Sequence, residues 1–295
     1  MDSRPVMQTY TQGVLRKTLF LSLGMAMTLA ACGASAPAET PQQVLAAAAQ
    51  KLGGLHTVKF DVHGTILTRI PPEVMAALTN NQAQQGSSVA ALANTSVDLK
   101  GTGEAVYPDQ MHVSVQVTTS GLAFATEQVV AGGKVYTKNP LTGQWLAGDP
   151  SQLGMQLNQL GPLTAKQILE ASGSVQDLGD VSPNNVATHH YRITPDKTKL
   201  TSTLEANPAF TDPQARKALE QALTAGTLTF EVWISKDDHL LRSMRSDADV
   251  LIPAAQLVSG TTQLPAGAAI HITAHLDLAF HDFNAPVTIT IPKTS

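Results

Sequence analysis

The hydrophobic positions of this chain fall into two periods, and each period marks a kind of element. Val58, Phe60 and Val62 alternate with Lys59, Asp61 and His63, the period of two that a strand with one buried face requires. The same alternation runs through Met111, Val113, Val115 and Val117, through Leu228, Phe230, Val232 and Ile234, and through Ile270, Ile272, Ala274, Leu276, Leu278 and Phe280. Ala131-Gly132-Gly133-Lys134 predicts a hairpin turn, because paired glycines tolerate positive φ. Asn139-Pro140-Leu141-Thr142-Gly143 predicts the next turn, with Trp145 on the returning strand. Lys236-Asp237-Asp238-His239 turns the chain again, Leu240 to Val250 pairs back, and Val287, Ile289 and Ile291 predict a final strand.

Helical segments interrupt this meander. Thr40 and Gln43 form a capping box ahead of an Ala-rich helix over 41–52, with Pro41 at its first position and Gly53-Gly54 at its end. Pro71-Pro72 breaks a strand and opens a helical stretch with Val74, Met75 and Leu78 on one side. Asn80 to Ser88 has almost nothing to bury and predicts a loop. Asp149-Pro150 starts a helix carrying Leu153, Leu157 and Leu160, and Thr164 with Gln167 starts another carrying Ile168 and Leu169. A further helix begins at Asp212-Pro213 and carries Leu219, Ala222 and Leu223.

Strands that are apolar on one face only predict an antiparallel sheet with one covered side. Few helices, all amphipathic, predict that they cover it. The fold class expected is α+β: a curved antiparallel half-barrel sheet, helices over its concave face, and an apolar cavity between. Periodicity leaves open whether side chains or a ligand fill that space.

The first residues change the picture. Arg4, Arg16 and Lys17 precede an apolar run from Leu19 to Leu29, shorter than the roughly 20 residues a bilayer core demands. A basic start, a short apolar run and small residues describe a secretory signal. Leu29-Ala30-Ala31-Cys32 resembles the lipobox of bacterial lipoproteins. The resemblance implies a signal peptide over 1–31, cleavage before Cys32 and acyl chains, palmitate among them, on that thiol. Residues 32–40 (CGASAPAET) then read as a flexible tether, and 41–295 as a single domain. Cys32 is the only cysteine, so no internal disulfide exists and an exported lone thiol acquires a purpose. Each buried acyl methylene contributes about 0.8 kcal/mol to membrane attachment. The expected location is the extracytoplasmic face of the cell membrane, lipid-anchored.

Composition narrows the partners. A net charge of −4 argues against nucleic acid, which needs a basic face. Charged residues are 14% and aromatic residues 4% of the chain, so the interior is aliphatic and suits acyl chains better than sugars or bases.

His271, His275, Asp277 and His281 share one strand face, opposite the apolar one. Side chains four apart on a strand stand about 13 Å from each other, so one metal ion cannot bridge them unaided. A solvated face is the reading, with no metal and no cofactor expected. His189 and His190 point to opposite faces. The chain has no Gly-x-Ser-x-Gly and no phosphate-binding Gly-x-x-x-x-Gly-Lys loop, and no enzymatic activity is expected. Asp237-Asp238 sits in a turn, where Asp bonds its own backbone.

Later motifs carry a family resemblance. They are Thr188-His189-His190-Tyr191-Arg192-Ile193, the stretch from Phe230 to Arg242 (FEVWISKDDHLLR), and Phe283 to Pro292 (FNAPVTITIP). With the strand-rich opening after the Ala-rich helix, they resemble the LppX/LprAFG family of actinobacterial cell-envelope lipoproteins, which shares the LolA-like half-barrel. The resemblance implies a lipid-binding cavity and carriage of lipids through the envelope. Its ligand would be an acylated lipid or glycolipid, its partners the membrane and an envelope transporter. The cavity candidates are Val58, Phe60, Val62, Val74, Met75, Leu78, Met111, Val113, Val115, Leu153, Leu157, Phe230, Val232, Ile272 and Leu276. The alternative is an envelope sensor or interaction lipoprotein binding a protein partner through an exposed edge or patch. A hydrolase is a third reading, which would need a clustered Ser/His/Asp geometry.

Overall fold

The computed structural model describes residues 39–76, 94–148, 161–205, 224, 226–254, 265 and 267–294. Cys32 with its expected signal and tether, Leu78, the loop expected at 80–88, the helix expected to carry Leu153, Leu157 and Leu160, and the one expected from Asp212 lie outside the described residues. Glu39–Ser295 forms one compact unit.

The first helix, α1 (Pro41–Gly53), begins as its sequence dictates. Thr40 Oγ1 accepts from the Gln43 backbone N–H at 3.3 Å, and Gln43 Oε1 accepts from the Thr40 N–H at 2.8 Å. Val44, Leu45, Ala48, Ala49 and Leu52 are its buried stripe, spaced at helical intervals.

Six strands follow as a meander: β1 (Thr57–Arg69), β2 (Ser96–Val106), β3 (Gln110–Thr119), β4 (Leu122–Ala131), β5 (Lys134–Lys138) and β6 (Trp145–Gly148). Gly132 and Gly133 both take positive φ in the β4–β5 turn, as a tight hairpin requires. The second helix, α2 (Pro162–Glu170), starts two residues before Thr164. Its N-cap is Gly161, with no side-chain cap, because Pro162 brings a helical φ ready-made to the first position. The expected Thr164–Gln167 box does not form. Five more strands complete the sheet: β7 (Ser172–Val181), β8 (Thr188–Pro195), β9 (Thr227–Ser235), β10 (Leu241–Pro253) and β11 (Ala269–His281). A further helix, α3 (Lys197–Glu205), follows β8. Asp196 Oδ1 accepts from the Lys199 N–H at 3.1 Å at its start.

All eleven described strands join one sheet in the order β6-β5-β4-β3-β2-β1-β11-β10-β9-β8-β7. Every pairing is antiparallel. The sheet is curved and unclosed, with β6 and β7 at its edges. The first and last strands meet in the middle, so each half is a simple meander. Between β6 and β7 the chain must pass from one edge to the other. Within that connection α2 rests against α1 on the apolar face, burying Ala165, Ile168 and Leu169 in the same core.

The expected final strand does not form. Residues 285–294 make no ladder, because β2 and β11 already occupy both hydrogen-bonding sides of β1. The tail is pinned beside β1 instead. His56 N–H donates to Asn284 Oδ1 at 2.8 Å, Asn284 N–H to the Thr57 carbonyl at 2.8 Å, and Thr57 Oγ1 to the Ala285 carbonyl at 2.5 Å. Among the described residues, no helix is long and apolar enough to cross a membrane.

Candidate functional site

Register assigns each side chain to one of two faces. On the apolar face Phe60 lies opposite Phe280 and Gly103, and Val62 opposite Leu278 and Gly101. Val113 lies opposite Gly103, and Val232 opposite Met244 and Tyr191. With α1 and α2 above them, these residues form the main core. Of the cavity candidates, Val58, Phe60, Val62, Val113, Val115, Phe230 and Val232 are buried together in it, and Met111 and Leu276 pack at its margin. Each such side chain contributes about 1.5–3 kcal/mol by its burial. Val74 belongs to a second, smaller cluster with Ile70, Ala254 and Ile270, against which Met75 and Ile272 pack.

Among the described residues, the apolar face extends beyond the cover that α1 and α2 give it. Ile66, Val97, Leu228 and Leu276 are half-buried. Further out on β4, Phe124 is 39% and Leu122 71% exposed. Beside α2 the cover is incomplete as well. A cleft of about 260 Å3 lies between the β2–β3 turn, β4 and the start of α2, lined by Ala105, Tyr107, Met111, Val130, Pro162 and Leu163 among others. Its lining is mainly apolar, with Asp109 and Gln110 in the β2–β3 turn and the Tyr107 side chain as its polar groups. Tyr107 Oη is buried and meets no hydrogen-bond partner among the described residues, and burial pushes its pKa well up. Of the sequence candidates only Met111 lines this cleft. The others that do were missed, because periodicity gives the face of a residue and not where its cover stops.

The opposite face is a charge lattice. His275 lies between two carboxylates, Nδ1 at 2.6 Å from Asp247 and Nε2 at 3.0 Å from Asp277. Two acceptors call for two ring N–H donors, and only the imidazolium has both. The Asp247 hydrogen bond, aided by Asp277 against some burial, therefore raises the His275 pKa. Burial pushes Asp277 up, but Arg245 at 2.9 Å and His275 outweigh it and hold the carboxyl below its ordinary value. Glu231 behaves alike, its burial outweighed by Arg192 at 2.7 Å and His190 at 3.1 Å. His271 pairs with Asp249 at 2.8 Å, and His281 with Asp61 at 3.6 Å. So His271, His275, Asp277 and His281 do share one face, and each takes a cross-strand partner of its own. His189 and His190 diverge as expected: His189 pairs with Asp180 and His190 with Glu231. Among the described residues no group of three or more His, Cys, Asp or Glu is disposed to hold a metal ion.

No protein-family model matches the chain, and no curated protein matches it. Solved structures do. LprF from Mycobacterium bovis is 17% identical with a TM-score of 0.41, over 85% of this chain and 96% of that one. The Mycobacterium tuberculosis lipoprotein LppX is 16% identical with a TM-score of 0.39, over 85% of this chain and 100% of that one. A LolA-superfamily protein from Nitrosomonas europaea is 10% identical with a TM-score of 0.29, over 85% and 96%. These are the LppX/LprF and LolA-like kinds that the sequence motifs resemble. The architecture described above rests on this chain's own strand order and helix placement.

Proposed function

We propose that this protein is a lipoprotein, tethered to the membrane through Cys32, that binds an acylated lipid and carries it within the cell envelope. The observation that carries the reading is the incompletely covered apolar face, with its cleft beside α2. Hydrocarbon placed there leaves water at a gain of about 25 cal/mol per Å2, with no specific polar contact needed. The Tyr107 hydroxyl is closed off from the cleft as it stands; once the cover opens it can donate to an ester or amide carbonyl, which removes the cost, about 1–3 kcal/mol, of a buried donor left unpaired.

The cleft of about 260 Å3 is just under the roughly 300 Å3 at which ligand pockets begin. It accommodates part of one acyl chain, and a whole lipid needs the cover to open. The start of α2 is the element suited to move. Its Gly161 cap supplies no side-chain acceptor, so the first-turn N–H groups are held less firmly than those of α1. Binding and release need no chemical step.

The test is organic extraction of the purified protein followed by mass spectrometry, then titration of the stripped protein with cis-parinaric acid. Bound lipid and saturable fluorescence are expected, with Val130→Trp and Met111→Trp, which fill the cleft, losing the probe while keeping the far-UV spectrum. Protein that is empty and takes up no probe would sink the reading. Probe binding indifferent to both substitutions would remove the cleft from it.

A second reading, binding of a protein partner, has one observation behind it. The β6 edge exposes Leu146 to 50%, and the turn before it exposes Leu141 to 91%. Cross-linking at that edge in cells, in protein without lipid, would favour it.

A further inference from the structure

The charged face of the sheet holds a groove of about 810 Å3. Its floor is one cross-strand row, and register shows why it is hollow. Thr102, Asp61, Ala279, Ser243 and Trp233 follow each other across β2, β1, β11, β10 and β9. The two middle residues are small. They leave a trough between Asp61 and Trp233 that is three strand spacings, about 14 Å, long. The next row forms a rail beside it: Lys100, His63, Asp277 and Arg245 across β2, β1, β11 and β10.

Trp233 is the anomaly. On this face its cross-strand neighbours are polar, and a solvated sheet side has no need of an indole. The ring is held in place from two sides. His190 stacks on it at 4.4 Å between centroids and 14° between planes, and the Arg245 guanidinium lies 5.8 Å from its centroid. Both holders are themselves fixed by acids, His190 by Glu231 and Arg245 by Asp277. Ser243, directly across from the ring, and Ala279, one strand further, are too small to cover its free side.

We propose that this groove binds a neutral saccharide, a ring of which packs its C–H face on Trp233. An indole offers a flat apolar platform, and the axial C–H bonds of a pyranose make a matching flat apolar surface. The hydroxyl rim of the sugar then meets donors and acceptors together: Lys100, Arg245 and Ser243 donate, Asp61 and Asp277 accept. Lys100 and Arg245 balance Asp61 and Asp277 in charge, so the groove selects neither anion nor cation. A polyhydroxyl ligand suits that balance, since every hydroxyl both donates and accepts. Two or three sugar units fit the trough. The site lies on the opposite face of the sheet from the apolar cleft, so it stands or fails independently of lipid binding.

The chain has two tryptophans, and Trp145→Phe leaves Trp233 as the sole indole reporter. In that background maltotriose, cellotriose, mannotriose and chitotriose are titrated while the emission is read. At least one is expected to give a saturable change. Ala279→Leu and, separately, Ser243→Leu fill the trough without touching a charge, and each is expected to weaken binding at least about tenfold, or 1.4 kcal/mol. Dodecyl maltoside below its micelle threshold, set beside maltotriose, distinguishes a free glycan from a sugar borne on a lipid. Equal binding points to the free glycan, and binding of the detergent alone that both Leu variants abolish points to the lipid-borne sugar. Detergent binding indifferent to the Leu variants overturns the proposal, because the tail is then held elsewhere. A flat response to all four sugars and to the detergent, or a response to sodium phosphate or acetate in their place, overturns it too.

Discussion

Gly103→Ala measures how tightly the curved sheet is closed over its own core. Gly103 sits on β2 beneath Phe60, which is fully buried and packs against Phe280 at 6.3 Å between ring centroids. A Cβ at Gly103 would stand 2.6 Å from Phe60 Cε1 and Cε2 and nearer still to Cζ. Overpacking of this kind costs about 1–3 kcal/mol. Against it, alanine in a strand interior gains about 0.5–1 kcal/mol over glycine through lost chain entropy. The net expectation is a loss of about 1–2 kcal/mol. The obstacle is a side chain, so it can be removed. In a Phe60→Leu background, Gly103→Ala is expected to be neutral or stabilising by up to about 1 kcal/mol, a coupling energy of about 1–3 kcal/mol. Gly101→Ala is the control. Its Cβ would meet backbone, 2.9 Å from Val115 Cα and closer to the Ser114 carbonyl oxygen, and no truncation of Phe60 relieves that. Urea unfolding of the four Gly103/Phe60 combinations reads the coupling as midpoint shifts at constant m. Equal cost of Gly103→Ala in both backgrounds would refute the packing argument.

The remaining expectations concern the charged face and the tail. The His275 pKa is raised in the folded protein above its ordinary 6.5, chiefly by Asp247. Its contribution is therefore complete below pH 6.5 and fades as pH rises through the elevated folded value. The side chain is 40% exposed, so after solvent screening the gain is under about 1 kcal/mol. Asp247→Asn should flatten the fall in stability between pH 6.5 and 8, measured by urea unfolding at each pH; an unchanged slope would contradict this. Asn284 holds a positive φ of 56° and joins the tail to His56 and Thr57 through its side chain and backbone. Asn284→Ala should cost about 1–2 kcal/mol by losing that bond and the residue's tolerance of left-handed backbone. It should also speed proteolysis after residue 284, and intact tails on digestion would count against the pin.

Much of this architecture is legible from side-chain alternation. Val58, Phe60 and Val62 do face inward opposite Lys59, Asp61 and His63, because a period of two admits one arrangement once one face is buried. The α1 capping box is equally local, since Thr40 and Gln43 need only each other. Apart from the Thr164–Gln167 box, which the adjacent Pro162 pre-empted, what was misread depended on neighbours distant in sequence. Val287 to Ile291 alternates as a strand should, yet β1 had no free side left to pair with it. Gly101 and Gly103 drew no reading from sequence, since the reason for them is the Phe60 ring and the Ser114 carbonyl brought close by register. The cleft residues Tyr107, Val130 and Leu163 come from a turn, a strand and a helix start, and no single period links them. Trp233 could be placed on the polar face from sequence. The small residues that leave its ring open come from two other strands.

The pairing of the first strand with the last has a consequence for how the chain is made. Synthesis delivers β1 to β6 long before β11 exists, so the growing polypeptide holds half a sheet whose inner margin is bare. An unpaired strand edge of that kind recruits other strands, from its own kind above all. The seam that completes the molecule joins partners more than 200 residues apart, as Lys59 and His281 are, and such distant closures are slow. Loss of the last few dozen residues would therefore not trim the protein from one end. It would split it down the centre and leave two adhesive halves, which makes the carboxyl-terminal strand the one that decides whether the chain ends as a monomer or as an aggregate.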